Sequence, residues 1–197
     1  MRPNFLVFVA SLLAVALAGC GSSPPVRFYA LSSATAGDPV ATQANYTVAV
    51  GPVTVPELVD RPNFVTQVDA NRVVIQEQVR WADPVDSGVG RALGGNLAQL
   101  LQGARVAVYP QHATAGADYV VSVDVQRFES VPGKMVALDV LWSVRNQKNS
   151  VHKSGRSLVS EPVTGGDYDA LVLAHDRALV TVSRDIAQAL SRIATGS

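Results

Sequence analysis

The chain has 197 residues, and its 16 basic and 16 acidic side chains give a formal net charge of zero at pH 7. A balance this even provides no basic patch of the kind that binds nucleic acid, so no nucleic-acid partner is expected. The single cysteine and three histidines leave no thiol pair for a disulfide and few ligands for a metal ion.

The first 20 residues have the features of a bacterial lipoprotein signal. Arg2 precedes an apolar run over residues 5–18, which ends in Leu-Ala-Gly directly before Cys20. A charged start, an apolar stretch and small residues before the cut define a secretory signal peptide, and a cysteine after Leu-Ala-Gly completes a lipobox. We predict cleavage between Gly19 and Cys20, and lipidation of Cys20 by diacylglycerol and an acyl chain such as palmitate. The alternative is an ordinary signal peptide with a chance cysteine.

The predicted boundaries are residues 1–19 for the removed signal peptide, 20–26 for a lipidated tether and 27–197 for a single α/β periplasmic domain. Seven extended residues reach at most about 25 Å, so the domain must lie against its membrane. Gly21 stands where an aspartate would retain the protein at the inner membrane in enteric-type sorting. We therefore expect an anchor on the periplasmic face of the outer membrane.

The hydrophobic pattern next predicts four strands ahead of the first helix. They are Arg27–Leu31, Tyr46–Val55 and a hairpin formed by Asn63–Asp69 and Arg72–Gln76. The segment Ser32–Asn45, which contains Gly, Asp and Pro, is predicted to be flexible.

A glycine-rich helix is predicted to begin at Asp83 and Pro84, with Asp83 as the N-cap and Pro84 in the first helical position. Apolar side chains recur at helical spacing as far as Leu101. Four internal glycines interrupt the helix: Gly88, Gly90, Gly94 and Gly95. Each glycine costs about 1 kcal/mol relative to alanine. A cost of this size indicates close packing of the helix on a sheet or on a neighbouring subunit.

The second half of the chain predicts an antiparallel meander and a long C-terminal helix. The predicted strands are Arg105–Tyr109, Asp118–Phe128, Met135–Arg145 and, more weakly, Gly155–Glu161. Strict alternation in the central two strands indicates one buried face. The Gly-Gly-Asp sequence at residues 165–167 starts a helix whose apolar stripe runs from Leu171 to Ile193.

No arrangement of catalytic or metal-ligating residues emerges from the sequence. The histidines, His112, His152 and His175, are scattered without an HExxH pairing, and no serine occupies a nucleophile elbow. The glycines from Gly88 to Gly94 have the spacing GxGxxxG inside a predicted helix, which differs from a dinucleotide fingerprint in both spacing and position. We predict a non-enzymatic protein without metal or cofactor, in which His175 is a half-buried structural residue.

Two features allow both a structural and a binding interpretation. Trp81 precedes the glycine-rich helix, and its ring suits core packing or, less readily, a partner contact. Gly90 and Gly94 lie one turn apart, and their face suits close packing on the chain's own sheet or a subunit contact edged by Arg61, Pro62 and Trp81. Core packing is the favoured interpretation of both, and these five residues are the candidates for a partner contact under the other.

Five stretches form a combination that is more specific than any one of them. They are the lipobox ending in Cys20, Arg27-Phe28-Tyr29-Ala30-Leu31, Val50-Gly51-Pro52-Val53 with Pro56, Asp60-Arg61-Pro62 with Val65-Thr66, and Arg80-Trp81-Ala82-Asp83-Pro84. Together they resemble the ABC-type transport auxiliary lipoprotein family, the PqiC-like lipoproteins. The resemblance covers nearly the whole mature chain, and it is strongest from Tyr46 to Leu101.

This resemblance implies a three-layer α/β sandwich around a mixed sheet, similar to the N-terminal domain of TolB. It also implies a non-enzymatic partner of MCE-type systems, in which periplasmic MCE proteins carry lipid between the two membranes of Gram-negative bacteria. The lipoprotein would be the outer-membrane docking piece, and a ring-like homo-oligomer would suit an elongated MCE channel. The alternative function is that of an outer-membrane lipoprotein that activates a peptidoglycan synthase, which needs a long disordered tether.

Overall fold

The computed structural model describes residues 24–41, 43–110, 114–149 and 151–195, and within them eight strands and two helices. The first half contains β1 (Arg27–Tyr29), β2 (Thr47–Thr54), β3 (Asn63–Asp69), β4 (Arg72–Trp81) and α1 (Val85–Leu100). The second half contains β5 (Arg105–Val108), β6 (Tyr119–Val131), β7 (Met135–Asn146), β8 (His152–Pro162) and α2 (Tyr168–Thr195). The predicted cleavage and lipidation site at Gly19 and Cys20 lies outside the described residues, as does His112.

The strands form two sheets. The larger has the order β5-β2-β6-β7-β8, in which β5, β2 and β6 are parallel and β6, β7 and β8 are antiparallel. The smaller has the order β1-β4-β3, with β1 parallel and β3 antiparallel to β4. The predicted α/β sandwich with a mixed sheet, a late antiparallel meander and a long C-terminal helix is confirmed. The strands divide between two sheets, whereas the resemblance implied one mixed sheet.

The larger sheet buries one face under both helices. The helix α1 contacts β2 and β5, α2 contacts β7 and β8, and the two helices contact each other. Side chains alternate across a strand, so Val136, Leu138 and Val140 of β7 point into the core while Leu141 stays exposed on the opposite face. Leu158 of β8 is exposed on that open face as well, at 64%.

The two helices begin in different ways. Pro84 occupies the N-cap of α1 without a side-chain hydrogen bond, and the helix starts at Val85. The prediction of Asp83 as the N-cap is wrong, because its carboxylate lies one residue too early and accepts a hydrogen bond from the Arg91 guanidinium at 2.7 Å. At the start of α2, Asp167 Oδ1 accepts a hydrogen bond from the backbone N–H of Ala170 at 2.9 Å, which is a regular side-chain cap. Neither helix in the described part of the chain has the length and apolar character needed to cross a membrane.

Candidate functional site

Trp81 ends β4 with its side chain in the core. Its ring stacks on Phe64 of β3, with centroids 4.6 Å apart and planes inclined by 25°, and it meets the rings of Phe128 and His175 edge-on at 6.2 Å. Only 6% of Trp81 is exposed. The residue therefore serves core packing, the interpretation that the sequence favoured, and its ring is not available to a partner.

Gly90 and Gly94 face the chain's own larger sheet. A Cβ atom on Gly94 would lie 2.6 Å from a methyl carbon of Val108, and one on Gly90 would lie 3.3 Å from the other methyl carbon of the same valine. Both glycines are buried. Because glycine has no side chain, α1 can approach β5 closely at these two positions. The two glycines therefore permit packing of α1 on the larger sheet, and they do not form part of an exposed contact surface.

Arg61 and Pro62 are the two predicted contact residues that stay at the surface. Pro62 is exposed and Arg61 is half-buried. The Pro62 carbonyl accepts a hydrogen bond from the backbone N–H of Trp81 at 2.7 Å, which ties the loop between β2 and β3 to the end of β4. The Nε of Arg61 is buried and has no hydrogen-bond partner among the described residues. Because the Arg61 Nε donor is unsatisfied and Pro62 is exposed, these two residues remain the candidates for a partner contact.

His175 is fully buried, so the prediction of a half-buried histidine is corrected. Its Nε2 lies 2.8 Å from Ser130 Oγ, and its ring stacks on Phe128 with centroids 4.1 Å apart. Burial lowers the pKa of His175 to about 3, because desolvation disfavours the imidazolium. Ser130 is only 2% exposed. The pair is therefore sealed from substrate and cannot act as nucleophile and base.

The buried imidazole makes folding sensitive to acid. The pKa of His175 is depressed in the folded state, so the unfolded chain binds the extra proton and stability is lost as the pH falls from about 6.5 towards 3. Between pH 7 and pH 5 we expect the free energy of unfolding to fall by about 2 kcal/mol through this residue. Denaturant titrations at both pH values measure the loss, and His175→Gln should reduce it.

The control for this prediction is His152→Gln, which alters an exposed histidine. Asp176 is also buried and its pKa is raised by desolvation, but it is present in both variants and therefore cancels in the comparison. An acid sensitivity unchanged by His175→Gln would contradict the assignment.

A segment that we call the strap, residues 31–41, joins β1 to the helices. The segment predicted to be flexible was Ser32–Asn45, and that prediction is wrong for the part within the strap, because side chains of both helices hold the strap backbone. The bonds are those of Ser32 N to Asp176 at 3.0 Å, Ala34 N to Asn96 at 3.1 Å and Ala36 N to Gln99 at 3.2 Å, together with the Arg184 guanidinium to the Ala36 carbonyl. The strap continues with hydrogen bonds from the backbone N–H groups of Val40 and Ala41 to the Leu100 carbonyl. The entry of the chain into the domain is thus fixed.

The hairpin of β3 and β4 extends beyond β1. Because β1 pairs only with Val79–Trp81 of β4, residues 72–78 of β4 have β3 on one side and no described strand on the other. Apolar side chains that are 37–63% exposed gather on this hairpin and on the chain that enters beside it. They are Val26, Phe28, Val68, Val73, Val74 and Ile75.

Two grooves on the described surface could receive a ligand or a partner segment. A shallow groove of about 470 Å³ lies on the open face of the larger sheet between Pro52, Asp124 and Leu141. Another of about 360 Å³ lies where β2 and β5 end near the start of α1. Within the residues that the structure describes, no group of three or more His, Cys, Asp or Glu side chains converges to hold a metal ion.

Comparisons with known proteins identify relatives of this chain. The family model described as the ABC-type transport auxiliary lipoprotein component matches residues 29–187. No curated protein matches. Among solved structures, the crystal structure of an uncharacterized protein is 21% identical, with 85% of this chain and 99% of that chain covered and a TM-score of 0.70. A Xanthomonas campestris protein is 16% identical, with 87% and 100% covered and a TM-score of 0.68. At these identities the likeness shows a shared fold.

Proposed function

This chain belongs to the family of ABC-type transport auxiliary lipoprotein components, and we propose that it is the lipid-anchored docking component of an MCE-type lipid transport system. In this proposal Cys20 carries the lipid and the domain stands on the periplasmic face of the outer membrane. Its partner is a periplasmic MCE protein, and its role is binding rather than catalysis.

The family match over residues 29–187 carries the proposal, and the strap supports it. With β1 paired to β4 and the strap bonded to both helices, Cys20 lies seven positions before Arg27, the first residue of the docked strand. That length spans at most about 25 Å. A domain held so close to its membrane suits a partner that comes to the membrane surface.

The same observation disfavours the alternative function. A lipoprotein that activates a peptidoglycan synthase has to reach across the periplasm, which here would require a loose segment over Ser32–Asn45 and an undocked first strand. Instead, β1 pairs with β4 through Tyr29 and Trp81, and Ser32 is bonded to Asp176 through both its backbone N–H and its hydroxyl. The tether is therefore too short for that role.

Capture of the partner tests the proposal directly. The lipidated protein is purified in detergent and mixed with the purified periplasmic domain of an MCE protein from the same cells. We expect co-purification, and no stimulation of a peptidoglycan synthase. The opposite pair of results would replace docking with the alternative function. Light scattering on the same preparation measures the number of copies of this protein in the assembly. The proposal includes a ring-shaped homo-oligomer.

Arg61→Glu should weaken this capture about tenfold, the cost of about 1.4 kcal/mol, because it reverses the charge at the surface candidate. The control is Arg192→Glu, an exposed position at the far end of α2. Affinity is measured by titration of the MCE domain onto immobilised protein. Equal affinity of the two variants would remove Arg61 from the contact, whereas absence of all capture would contradict docking itself.

A further inference from the structure

We propose that the β3–β4 hairpin is a second membrane contact, whose apolar tip lies in the headgroup region of the bilayer that holds the lipid anchor. The proposal rests on the anchor at Cys20 and adds to it a surface of the folded domain. It follows from the direction of β1, the length of the tether and the distribution of apolar side chains on the hairpin.

The direction of β1 places the tether on the side of the hairpin tip. Arg27 is paired with Val79 in a parallel arrangement, so the N-terminal ends of β1 and β4 point the same way. The N-terminal end of β4 is the hairpin turn at residues 70–71. The chain that leads back to Cys20 therefore enters β1 from the tip side.

The lengths of the two segments match. Arg27 lies seven positions after Cys20, and Val79 lies seven positions after Arg72 at the tip. At about 3.3–3.5 Å per extended residue, each spans at most roughly 23–25 Å. A tether that follows the line of β1 brings the lipid to the level of the hairpin tip, and no path allows the anchor to lie farther from Arg27.

The exposed apolar side chains lie on both faces of the hairpin. Thr66 is opposite Val74, and Gln67 is opposite Val73. Neighbouring residues of a strand point to opposite faces, so Val74 lies on one face while Val73 and Ile75 lie on the other, each 37–43% exposed. A protein partner that packs on one face would leave the other in water, whereas lipid surrounds an inserted tip on all sides.

The charges of the tip are balanced. Asp69 and Arg72 form an ion pair across the turn, so the tip presents no excess of basic side chains to anionic lipid. Apolar contact would then dominate, and binding should depend little on the anionic lipid content. Phe28, 63% exposed on β1, is paired with Arg80, six residues along β4 from Val74, and therefore lies away from the tip.

The test uses a cysteine introduced at Val74 of the full lipidated protein, labelled with an environment-sensitive fluorophore. The mature chain has no other cysteine once Cys20 is lipidated, so the label is unique. Val68→Cys gives a second probe on the hairpin, and Leu158→Cys on the open face of the larger sheet is the matched control. Each is reconstituted into phosphatidylethanolamine and phosphatidylglycerol vesicles with and without a lipid whose headgroup carries a nitroxide quencher.

We expect the hairpin labels to shift to shorter emission wavelengths and to be quenched by the nitroxide several-fold more than the label at Leu158. The quenching should persist when phosphatidylglycerol is omitted. Equal quenching at Val74 and Leu158 would overturn the inference. A wavelength shift without nitroxide quenching would also overturn it, because another copy or a protein partner would then cover the hairpin.

Flotation separates these outcomes from failure of the anchor. Protein that floats with the vesicles but shows an unquenched hairpin label retains its anchor and lacks the second contact. Protein that fails to float, and whose unsubstituted form reacts with a thiol reagent at Cys20, has no lipid anchor, and the inference falls together with that part of the proposed function.

Discussion

Replacement of Gly94 by leucine is expected to destabilise the domain by about 3 kcal/mol or more, which lowers the melting temperature by roughly 6–12 °C for a domain of this size. The reason is steric. Even a Cβ atom at this position would lie 2.6 Å from a methyl carbon of Val108, a separation well inside van der Waals contact. Thermal unfolding followed by circular dichroism measures the shift.

Two controls define the cause. Gly166→Leu places the same side chain where no atom lies within 4 Å of the added Cβ, so stability should be almost unchanged. Gly94→Ala adds only a methyl group at this position. In the double variant Gly94→Ala/Val108→Ala, the shorter side chain at position 108 leaves room for that methyl group. The double variant should recover part of the loss, because substitutions at contacting residues are coupled.

The result also decides between the two interpretations of the glycine face. If α1 packs on its own sheet, Gly94→Leu lowers the stability of the protein at any concentration. If the face contacted a second subunit or a partner, the monomer would stay stable and light scattering would show a loss of assembly instead. The second outcome would contradict the packing of α1 on β5.

The periodic spacing of apolar residues predicted the helices and strands well. The meander is a case in point, because alternation from Tyr119 to Val125 and from Val136 to Val144 specifies strands with one apolar face, and these positions are buried. The same reasoning located α2, whose stripe of apolar residues at helical spacing faces the larger sheet. A helix or strand can be predicted from a single sequence when the pattern of its own residues determines which face is buried.

The pairing of strands that are distant in the chain could not be predicted from the periodicity of the sequence. The parallel contact of β1 with β4 joins residues 52 positions apart, as Arg27 and Val79 illustrate, and nothing in either strand indicates its partner. The strap shows the same limit, because Asn96 and Gln99 on α1 read as ordinary polar positions until the structure places them against Ala34 and Ala36. The polar residues that fix the entry of the chain were therefore missed.

The candidate contact surface changed for a related reason. In a sequence, a tryptophan or a glycine is compatible with a position either in the core or in an interface. Only the three-dimensional packing distinguishes these two positions. Phe64 stacked on Trp81 and Val108 against Gly94 assign both residues to the core. A signal for the hairpin was present in the sequence, because Val73, Val74 and Ile75 are consecutive apolar residues and cannot all face inward in a strand.

Loss of membrane attachment is the expected result of Cys20→Ser. Diacylglycerol attaches only to the thiol, so the variant lacks every acyl chain. Each buried methylene contributes about 0.8 kcal/mol, and stable anchoring requires two chains. The fold should be unaffected, because Cys20 precedes the first strand and the pairing of β1 with β4 begins at Arg27. Fractionation with an alkaline wash of the membranes, followed by immunodetection, measures the distribution.

The hairpin cannot replace the anchor in this experiment. The exposed apolar side chains of the hairpin, Val68, Val73, Val74 and Ile75, would gain at most about 5 kcal/mol on transfer to lipid, which is far less than two acyl chains provide. The variant should therefore appear in the soluble fraction or as unprocessed precursor, whereas the neighbouring change Ser23→Ala should leave the protein in the membrane. A fully processed Cys20→Ser protein retained as strongly as the unsubstituted one would show that the domain, and not the lipid, holds this protein at its membrane.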